Sequence, residues 1–410
     1  MPKVLVTDAS KGEALAVIRS LGKMGVEVTA GDSFCFNAGF LSRYCKRRIL
    51  YPSPERSKKR FLKFMLELVR RENFDLIIPV TDFTVIPIAE YKEDFEKYVK
   101  VATPSYETAL KAYDKANTVR IAAEHGIPHP KTFFIENVEH IRKILGEIKY
   151  PVVIKPRMKV MWADDKAIKL KVSRRNYAWN KKDLMDKYMR IASFLEKSGI
   201  KNCFPLIQEF VAGDGYGVEV LMHNSKPIAL FMHKRLREYP IEGGASTLRE
   251  SIRIEKLADL GIKLLTALNW EGVAMVEFKL DKSNFKPKLM EVNGRFWGSL
   301  PLAISAGVDF PYLLYKIMVE NYCTKVFNYK KNIKQRCLIP GDILWLLSSL
   351  FFTSDRIDAV RNFIKSFIIP DDIITLDDLA PTIGALVTLF KDYAHVVSKR
   401  YTIEGEIIRS

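Results

Sequence analysis

Short apolar runs alternate with amphipathic stretches over the first hundred residues of the chain. The run KVLVT predicts a strand, and the spacing of apolar residues from Glu13 to Met24 predicts a helix that Gly25 ends. The runs VEVTAGD, FDLIIPVTD and YVKVATPS continue the alternation. This pattern predicts a parallel sheet with helices on its faces. Asp8 and Asp82 follow two of the strands, where each either faces a ligand or caps the next helix.

The pattern changes after about residue 112. A helix is predicted over Ala112–Gly126, a strand over PVVIKP, and a second helix that ends near Lys197. Five strands then follow in FPLIQEFVAGDGYGVEVLM, KPIALFMHKR, EGVAMVEFKLD and KPKLMEVNGRF, and they predict a largely antiparallel sheet. After about Tyr322 the pattern is helical. The predicted fold class is therefore α/β at the N-terminus and α+β in the middle, with a helical C-terminal extension.

The most apolar late run is ILWLLSSLFF, from Ile343 to Phe352. At about 1.5 Å of rise per residue it is too short to cross a bilayer. We expect a core helix, with a surface-seeking helix beside the basic stretch KVFNYKKNIKQR as the alternative. No signal-peptide pattern is present at the N-terminus, and the five cysteines form neither a CxxC pair nor a disulfide framework. A cytoplasmic location is the expectation.

The charge balance of the 410-residue chain is strongly basic. Its 65 Lys and Arg residues against 48 Asp and Glu residues give a formal net charge of +17. Such a balance favours polyanionic partners such as phosphate-bearing ligands, nucleic acid or an anionic membrane, or it reflects a generally basic surface. The charges are spread along the chain without an RNA-binding signature, so we expect no nucleic-acid partner.

The stretch LMEVNGRFWGSL carries the clearest chemistry. Because strand side chains alternate, Glu291, Asn293 and Arg295 project to one face if the strand continues that far. The preceding strand carries Glu277, and a hairpin would place that carboxylate beside Glu291. Paired carboxylates and an amide oxygen suit Mg²⁺, which takes oxygen ligands. A strand edge facing water is the alternative for each of these residues taken alone.

Two lysines and an extended segment complete the candidate site. Lys155 lies within the apolar run PVVIKP, where an unpaired ammonium group would cost several kcal/mol, so an anionic ligand or an internal acid is expected beside it. Lys115, in YDKANT, is less telling alone. The stretch QEFVAGDG predicts an extended segment whose free backbone groups would read an adenine edge, with Glu209 accepting from the exocyclic amine.

These motifs, in this order, resemble the ATP-grasp superfamily of ATP-dependent ligases. The resemblance rests on DKANT, VVIKP, QEFVAGDG, MVEFKLD and MEVNGRFWGS and spans roughly residues 1–320. It is strongest to the carbamoyl-phosphate-synthase-like and carboxylate–amine ligase branches, in which a segment similar to HKRLREYPIEGGASTLRES lines the reaction centre. The resemblance implies a preATP-grasp domain over 1–112, a small lid subdomain over 113–200, a large subdomain with the Mg-ATP site over 201–322, and a helical extension over 323–410.

The resemblance also implies a role for each candidate residue. The cofactors would be ATP and one or two Mg²⁺ ions, with Mn²⁺ as a substitute. ATP would be bound by Lys115 and Lys155 at its phosphates, by Gln208, Glu209, Phe210 and Val211 at the adenine, and by Asp214 at the ribose. The metal would be bound by Glu277, Glu291 and Asn293. The acyl phosphate would be stabilised by Arg295, assisted by Arg235 or Arg237.

One segment departs from the family pattern. Family members usually carry a glycine-rich loop after the second lysine, whereas residues 157–173 here read RMKVMWADDKAIKLKVS, without glycine. Backbone N–H groups approach phosphate less freely without glycine. Arg157, Lys159 and Trp162 are the candidates to replace that loop.

The leading functional hypothesis is an ATP-dependent carboxylate–amine ligase that forms an acyl phosphate and releases ADP and phosphate. Its partners would be a small-molecule carboxylate and an amine, and homodimers are common among such ligases. Two alternatives stay open. One is a bicarbonate-activating enzyme of the carboxylase or carbamoyl-phosphate type, and the other is a non-catalytic basic protein that binds nucleotide, nucleic acid or membrane.

Overall fold

The N-terminal part of the chain forms a five-stranded parallel sheet, as its alternating pattern predicts. The computed structural model describes residues 1–170, 172–241, 243–352 and 355–397. The strand order is β3-β2-β1-β4-β5, with every neighbouring pair parallel. The elements are β1 (Lys3–Val6), α1 (Gly12–Lys23), β2 (Glu27–Asp32), α2 (Ala38–Leu41), β3 (Arg47–Leu50), α3 (Lys58–Arg71), β4 (Leu76–Ile78), α4 (Asp82–Glu90), α5 (Lys92–Glu96) and β5 (Lys100–Val101).

A second, antiparallel sheet and a small hairpin follow. The sheet has the order β10-β7-β11-β6, and β8 pairs only with β9. The elements are α6 (Tyr106–Tyr113), α7 (Lys115–Glu124), β6 (Thr132–Phe133), α8 (Val138–Ile144), β7 (Val152–Lys155), β8 (Val160–Ala163), β9 (Lys166–Lys169), β10 (Tyr177–Ala178), α9 (Lys181–Lys197) and β11 (Leu206–Glu209). The helix predicted over Ala112–Gly126 begins at Lys115 instead, because the Asp114 side chain caps it by accepting from the Ala116 N–H at 2.9 Å.

The third sheet has six antiparallel strands in the order β16-β15-β12-β13-β14-β17. Its elements are β12 (Gly213–His223), β13 (Lys226–Tyr239), β14 (Ala245–Ser251), α10 (Glu255–Ala267), β15 (Gly272–Asp281), β16 (Pro287–Asn293), α11 (Leu300–Ala306), α12 (Phe310–Glu320) and β17 (Lys334–Arg336). β11 pairs in the second sheet and β17 in the third. The domain boundaries predicted from the sequence stay a prediction.

Two apolar cores join these layers. One core lies between α1, α11, α12 and one face of the third sheet, and it fuses the parallel sheet to the antiparallel one. The other lies on the opposite face of the third sheet and includes α7 and α10. Because the parallel sheet and the third sheet share a core, residues at the edge of either are held at fixed positions over the cleft between them.

The C-terminal region contains α13 (Ile343–Phe352), α14 (Arg356–Lys365) and α15 (Pro381–Val397). The prediction of a core helix over Ile343–Phe352 is right about the helix and wrong about its burial, because Leu347 and Phe351 are 46% and 73% exposed. Among the described residues no single helix has both the length and the apolar composition needed to cross a membrane. Together, α11 and α12 reach that length and composition, but they meet at 85°.

Candidate active site

Two neighbouring strands bring the predicted oxygen donors together. Glu277 on β15 and Glu291 on β16 are register partners, so the predicted hairpin juxtaposition is confirmed. The Asn293 amide donates to Glu277 Oε1 at 2.8 Å and lies 3.4 Å from Glu291 Oε1. Because register partners project to the same face of a sheet, both carboxylates line the same cleft, and the β-bulge in this strand pair comes only after Glu277. The three side chains thus form one cluster on the wall of the cleft.

Cations surround this cluster. Lys159 donates to Glu291 Oε1 at 2.6 Å and to Asn293 Oδ1 at 2.9 Å, and Lys115 lies 3.4 Å from Glu291 Oε2. Arg235 lies 2.5 Å from Glu277 Oε2. Burial alone would raise the pKa of Glu291, but the ammonium groups of Lys159 and Lys115 outweigh it and hold the pKa well below its usual range. Both carboxylates are therefore matched by positive charge.

Lys155 is the exception among these cations. It is half-buried at the end of β7, and within the described residues its ammonium group has no hydrogen-bond or ion-pair partner. Burial lowers the pKa of Lys155 to about 8, a shift that Glu291 opposes and Lys115 reinforces. A lysine that is desolvated and left without a direct partner beside other cations indicates a place for an anionic ligand.

This shift predicts how nucleotide affinity depends on pH. If phosphate groups bind beside Lys155 and restore its charge, affinity stays constant below about pH 8 and falls up to about tenfold per pH unit above it. The reason is that binding to the neutral lysine must take up a proton. Titration calorimetry with Mg-ATP between about pH 7 and 9.5 would check this. Lys155→Met should remove the fall in affinity above about pH 8. Lys226→Met, which replaces an exposed lysine on β13, is the control and should keep it. An unchanged pH profile in Lys155→Met would show that Lys155 does not bind the phosphates.

The glycine-free segment forms the hairpin β8–β9, which packs down on the parallel-sheet region. Asp164 takes the positive φ of 54° at its tip, a conformation that Asp tolerates without glycine. Asp165 accepts from the Lys59 N–H at 2.7 Å, and the Trp162 indole donates to the Pro54 carbonyl at 3.3 Å. Of the three predicted replacements for the glycine loop, Lys159 reaches the carboxylate cluster. Arg157 instead pairs with Asp114, and Trp162 anchors the hairpin.

Two arginines lie at the cleft, and the third predicted arginine does not. Arg295 donates from Nε to Asp82 Oδ1 at 2.5 Å. Of the two roles considered for Asp82, facing a ligand or capping a helix, the structure therefore favours the first, because Asp82 lines the cleft. Asp8 is buried and accepts from the backbone N–H of Thr81 at 2.9 Å. Burial would lower the pKa of Arg295, but the Asp82 carboxylate raises it.

Arg237 lies outside the cleft because of a backbone irregularity. Strand alternation would place Arg235 and Arg237 on one face, but bulges on β13 shift the register on both sides of Arg237. Its guanidinium donates to Asp342 Oδ2 at 2.9 Å and to the Asn362 carbonyl at 2.6 Å, both in the C-terminal region. The structure thus brings Arg235 to the site and turns Arg237 away from it.

The predicted adenine segment lies beside the cleft wall rather than in its lining. Glu209 accepts from the Lys131 N–H at 3.0 Å, and the Phe210 N–H donates to the Pro151 carbonyl at 3.3 Å. Lys279 Nζ donates to the Val211 carbonyl at 3.4 Å. The remaining two side chains are engaged elsewhere: Gln208 donates to Thr132 Oγ1 at 3.0 Å, and Asp214 lies 2.8 Å from Lys234 Nζ.

Sequence reasoning assigned no role to Lys279 or His233 and did not connect Asp82 with Arg295. Lys279 links the adenine segment to the carboxylates, since burial lowers the pKa of Lys279 and the Glu238 and Glu277 carboxylates oppose that shift. It stands two positions after Glu277, so strand alternation could have found it. His233 precedes Arg235 by two positions and lines the cleft as well. Its position after a strand offers Asp82 as a ligand-facing residue, but no sequence signal connects Asp82 to Arg295.

The cleft that these residues line has a volume of about 480 Å³. Within the described parts of the chain no group of three or more His, Cys, Asp or Glu side chains forms a complete metal site. Two carboxylates, one amide oxygen and a lysine without a partner fit a divalent cation that takes its remaining ligands from bound phosphates. The residues present therefore fit Mg-ATP better than a metal held by protein alone.

Comparisons with known proteins bear on the family and the fold. Residues 204–337 match the family described as "ATP-grasp in the biosynthetic pathway with Ter operon". The carbamoyl phosphate synthase large chain of Pyrococcus furiosus is 24% identical over 218 residues, which are 52% of this chain and 19% of that protein. The chain therefore spans far less than two thirds of the length of this curated relative.

Two solved structures share most of the fold. The β-γ-ATP complex of biotin carboxylase from Campylobacter jejuni superposes with a TM-score of 0.63 at 18% identity over 81% of this chain and 74% of that one. L-amino acid ligase from Bacillus licheniformis superposes with a TM-score of 0.58 at 15% identity over 78% and 74%. The resemblance that the motifs indicated, and the mixed sheet architecture expected from it, are both confirmed. Residues 204–337 therefore match an ATP-grasp family, and the chain as a whole shares the fold of these ligases and carboxylases.

Proposed function

We propose that the protein is an ATP-dependent ligase that joins a carboxylate to an amine through an acyl phosphate. The observation that carries this proposal is the placement of Glu277, Glu291, Asn293 and Arg295 in one cleft. Lys155 lies near enough for the charge of Glu291 to act on its pKa. Oxygen donors, an unpaired lysine and an arginine are the groups that phosphoryl transfer to a carboxylate requires. The fold shared with an L-amino acid ligase is consistent with this proposal.

In the first step a carboxylate oxygen of the substrate attacks the γ-phosphorus of ATP, and the bond to the bridging oxygen breaks to release ADP. Lys155 and Lys115 would hold the phosphates and reduce their repulsion of the incoming carboxylate. Glu277, Glu291 and Asn293 would hold Mg²⁺, which when bound neutralises phosphate charge. Lys159 would move with the β8–β9 hairpin and exclude water from the cleft.

In the second step the amine nitrogen attacks the acyl carbon, a C–N bond forms, and the C–O bond to phosphate breaks. Arg295, fixed by Asp82, and Arg235, fixed by Glu277, would neutralise the negative charge that develops on the acyl oxygens. Both guanidinium groups are held by carboxylates before substrate binds, so little reorganisation is needed at the moment of reaction.

The proposal predicts ADP release that needs both substrates. With Mg-ATP, a panel of carboxylates paired with amines should give ADP release above the background of either half-panel alone, measured by a coupled ADP assay. Acidic amino acids and peptides belong in the panel, since the basic charge of +17 favours anionic substrates. ADP release that depends on bicarbonate and on no organic carboxylate would support bicarbonate activation instead. Tight salt-sensitive RNA binding without ATP binding would support the non-catalytic alternative.

A further inference from the structure

A buried histidine–glutamate pair lies in the cleft wall beside the carboxylate cluster. The His233 ring on β13 has Nδ1 2.6 Å from Glu219 Oε1, and Ser299 Oγ donates to the same carboxylate oxygen at 3.0 Å. Both His233 and Ser299 line the cleft, whereas Glu219 lies behind them and is fully buried. None of the steps described above uses this group.

The glycines of the GDGYG motif make room for these side chains. Glu277, Gly217 and His233 are register partners on three adjacent strands, so they form one row on the same face of the sheet. A Cβ at Gly217 would lie 2.3 Å from His233 Cε1, and a Cβ at Gly215 would lie 2.9 Å from Arg235 Cδ. The imidazole and the guanidinium therefore lie over bare backbone. Two strand spacings separate His233 from Glu277, or about 10 Å between their Cα atoms.

The pair is arranged to accept a proton from the cleft. A carboxylate only accepts hydrogen bonds, so the imidazole proton lies on Nδ1 and the lone pair of the neutral ring lies on Nε2. Within the described residues Nε2 has no hydrogen-bond partner. Glu219 Oε2 is buried and also lacks a hydrogen-bond partner among the described residues.

We propose that His233 is the general base of an acceptor subsite for a primary ammonium group, oriented by Glu219 and Ser299. This rests on the proposed ligase function. The ammonium group loses one proton to His233 Nε2, and the resulting amine nitrogen attacks the acyl carbon of the acyl phosphate. The C–O bond to phosphate breaks, the phosphate leaves with the second nitrogen proton as hydrogen phosphate, and His233 returns its proton to solvent.

The chain offers a matched control. His223 at the end of β12 lies 2.6 Å from Glu271 Oε1, the same separation as in the buried pair. That pair is partly exposed and does not line the cleft. His223→Gln therefore removes a histidine–glutamate contact of equal length from the same sheet without reaching the reaction centre.

The test compares two acceptors in the full-length protein with Mg-ATP and the best carboxylate from the panel. Hydroxylamine is largely uncharged at neutral pH and traps acyl phosphates as hydroxamates without a base, whereas glycinamide and free amino acids react only after losing a proton. His233→Gln should lower amide formation by at least about 100-fold and leave hydroxamate formation within a few-fold of wild type. Glu219→Gln should shift the same ratio in the same direction, and His223→Gln should change neither product.

Three results would overturn the proposal. Equal losses of hydroxamate and amide in a folded His233→Gln variant, checked by thermal unfolding and Mg-ATP binding, would mean that the histidine only supports the cleft wall. Unchanged amide formation would mean that the histidine takes no proton. Absence of hydroxamate from the wild-type protein with every carboxylate would remove the ligase function itself, and the acceptor subsite with it.

Discussion

Glu291→Gln should lower carboxylate-dependent ADP formation by about 100- to 1000-fold, the loss typical of removing one preorganised charge-stabilising group. Glutamine keeps the size of the side chain and removes its charge. The substitution takes a carboxylate from the cluster and leaves Lys115 and Lys159 beside an uncharged amide. Both the binding of a divalent cation and the balance of charge around the phosphates are then lost. Steady-state ADP release at saturating Mg-ATP measures the effect.

Glu250→Gln provides the comparison for this experiment. Glu250 lies on β14 of the same sheet, 3.9 Å from Lys334, and does not line the cleft. Its substitution should leave ADP formation unchanged. Thermal unfolding of both variants separates a loss of chemistry from a loss of folding, because Glu291→Gln also removes the carboxylate that pairs with Lys115 and Lys159. ADP formation near the wild-type rate in Glu291→Gln would show that this carboxylate holds no catalytic metal.

The parts of the site that the sequence predicts correctly lie on strand segments with regular pairing, because the register of β15 and β16 shifts only after Glu277. Alternation along MVEFKLD and MEVNGRF places Glu277 and Glu291 opposite each other, and the structure has them as register partners. The strand predicted in PVVIKP is also found, as β7, and Lys155 is its last residue. Period-two reasoning needs only local sequence, so it works wherever the backbone keeps its regular pleat.

The parts of the site that the sequence does not predict depend on irregular backbone or on contacts between segments far apart in the chain. Alternation fails for Arg237, because the bulges next to it reverse the side-chain direction, and no residue type announces a bulge there. The pairing of Arg295 with Asp82 joins positions 213 residues apart. Lys159 was only one of three candidates within its loop, since the packing of the β8–β9 hairpin on Pro54 and Lys59 decides which side chain reaches the cluster.

The C-terminal region carries no chemical motif, yet it ties the two main sheets together. Arg19 on α1 donates to the Asp372 and Ile373 carbonyl groups at 3.0 and 2.9 Å. From the other side, Arg249 on β14 donates to both oxygens of the Asp372 side chain at 2.5 Å. Asp372 therefore lies between the parallel sheet and the third sheet, and its contacts keep the walls of the cleft in place.

Asp372→Ala should lower the free energy of unfolding by about 3–5 kcal/mol, because it leaves the guanidinium of Arg249 buried without its carboxylate. Arg249 is 0% exposed, so water cannot replace the lost partner. The backbone contacts of residue 372 persist in the variant, so the change in the free energy of unfolding reports on the ion pair with Arg249. Asp377→Ala is the control: its bridge to Lys23 at 2.8 Å is 41–49% exposed and should cost at most about 1 kcal/mol. Paired denaturant titrations measure both changes, and equal midpoints for the two variants would show that the buried pair does not hold the C-terminal region to the cleft.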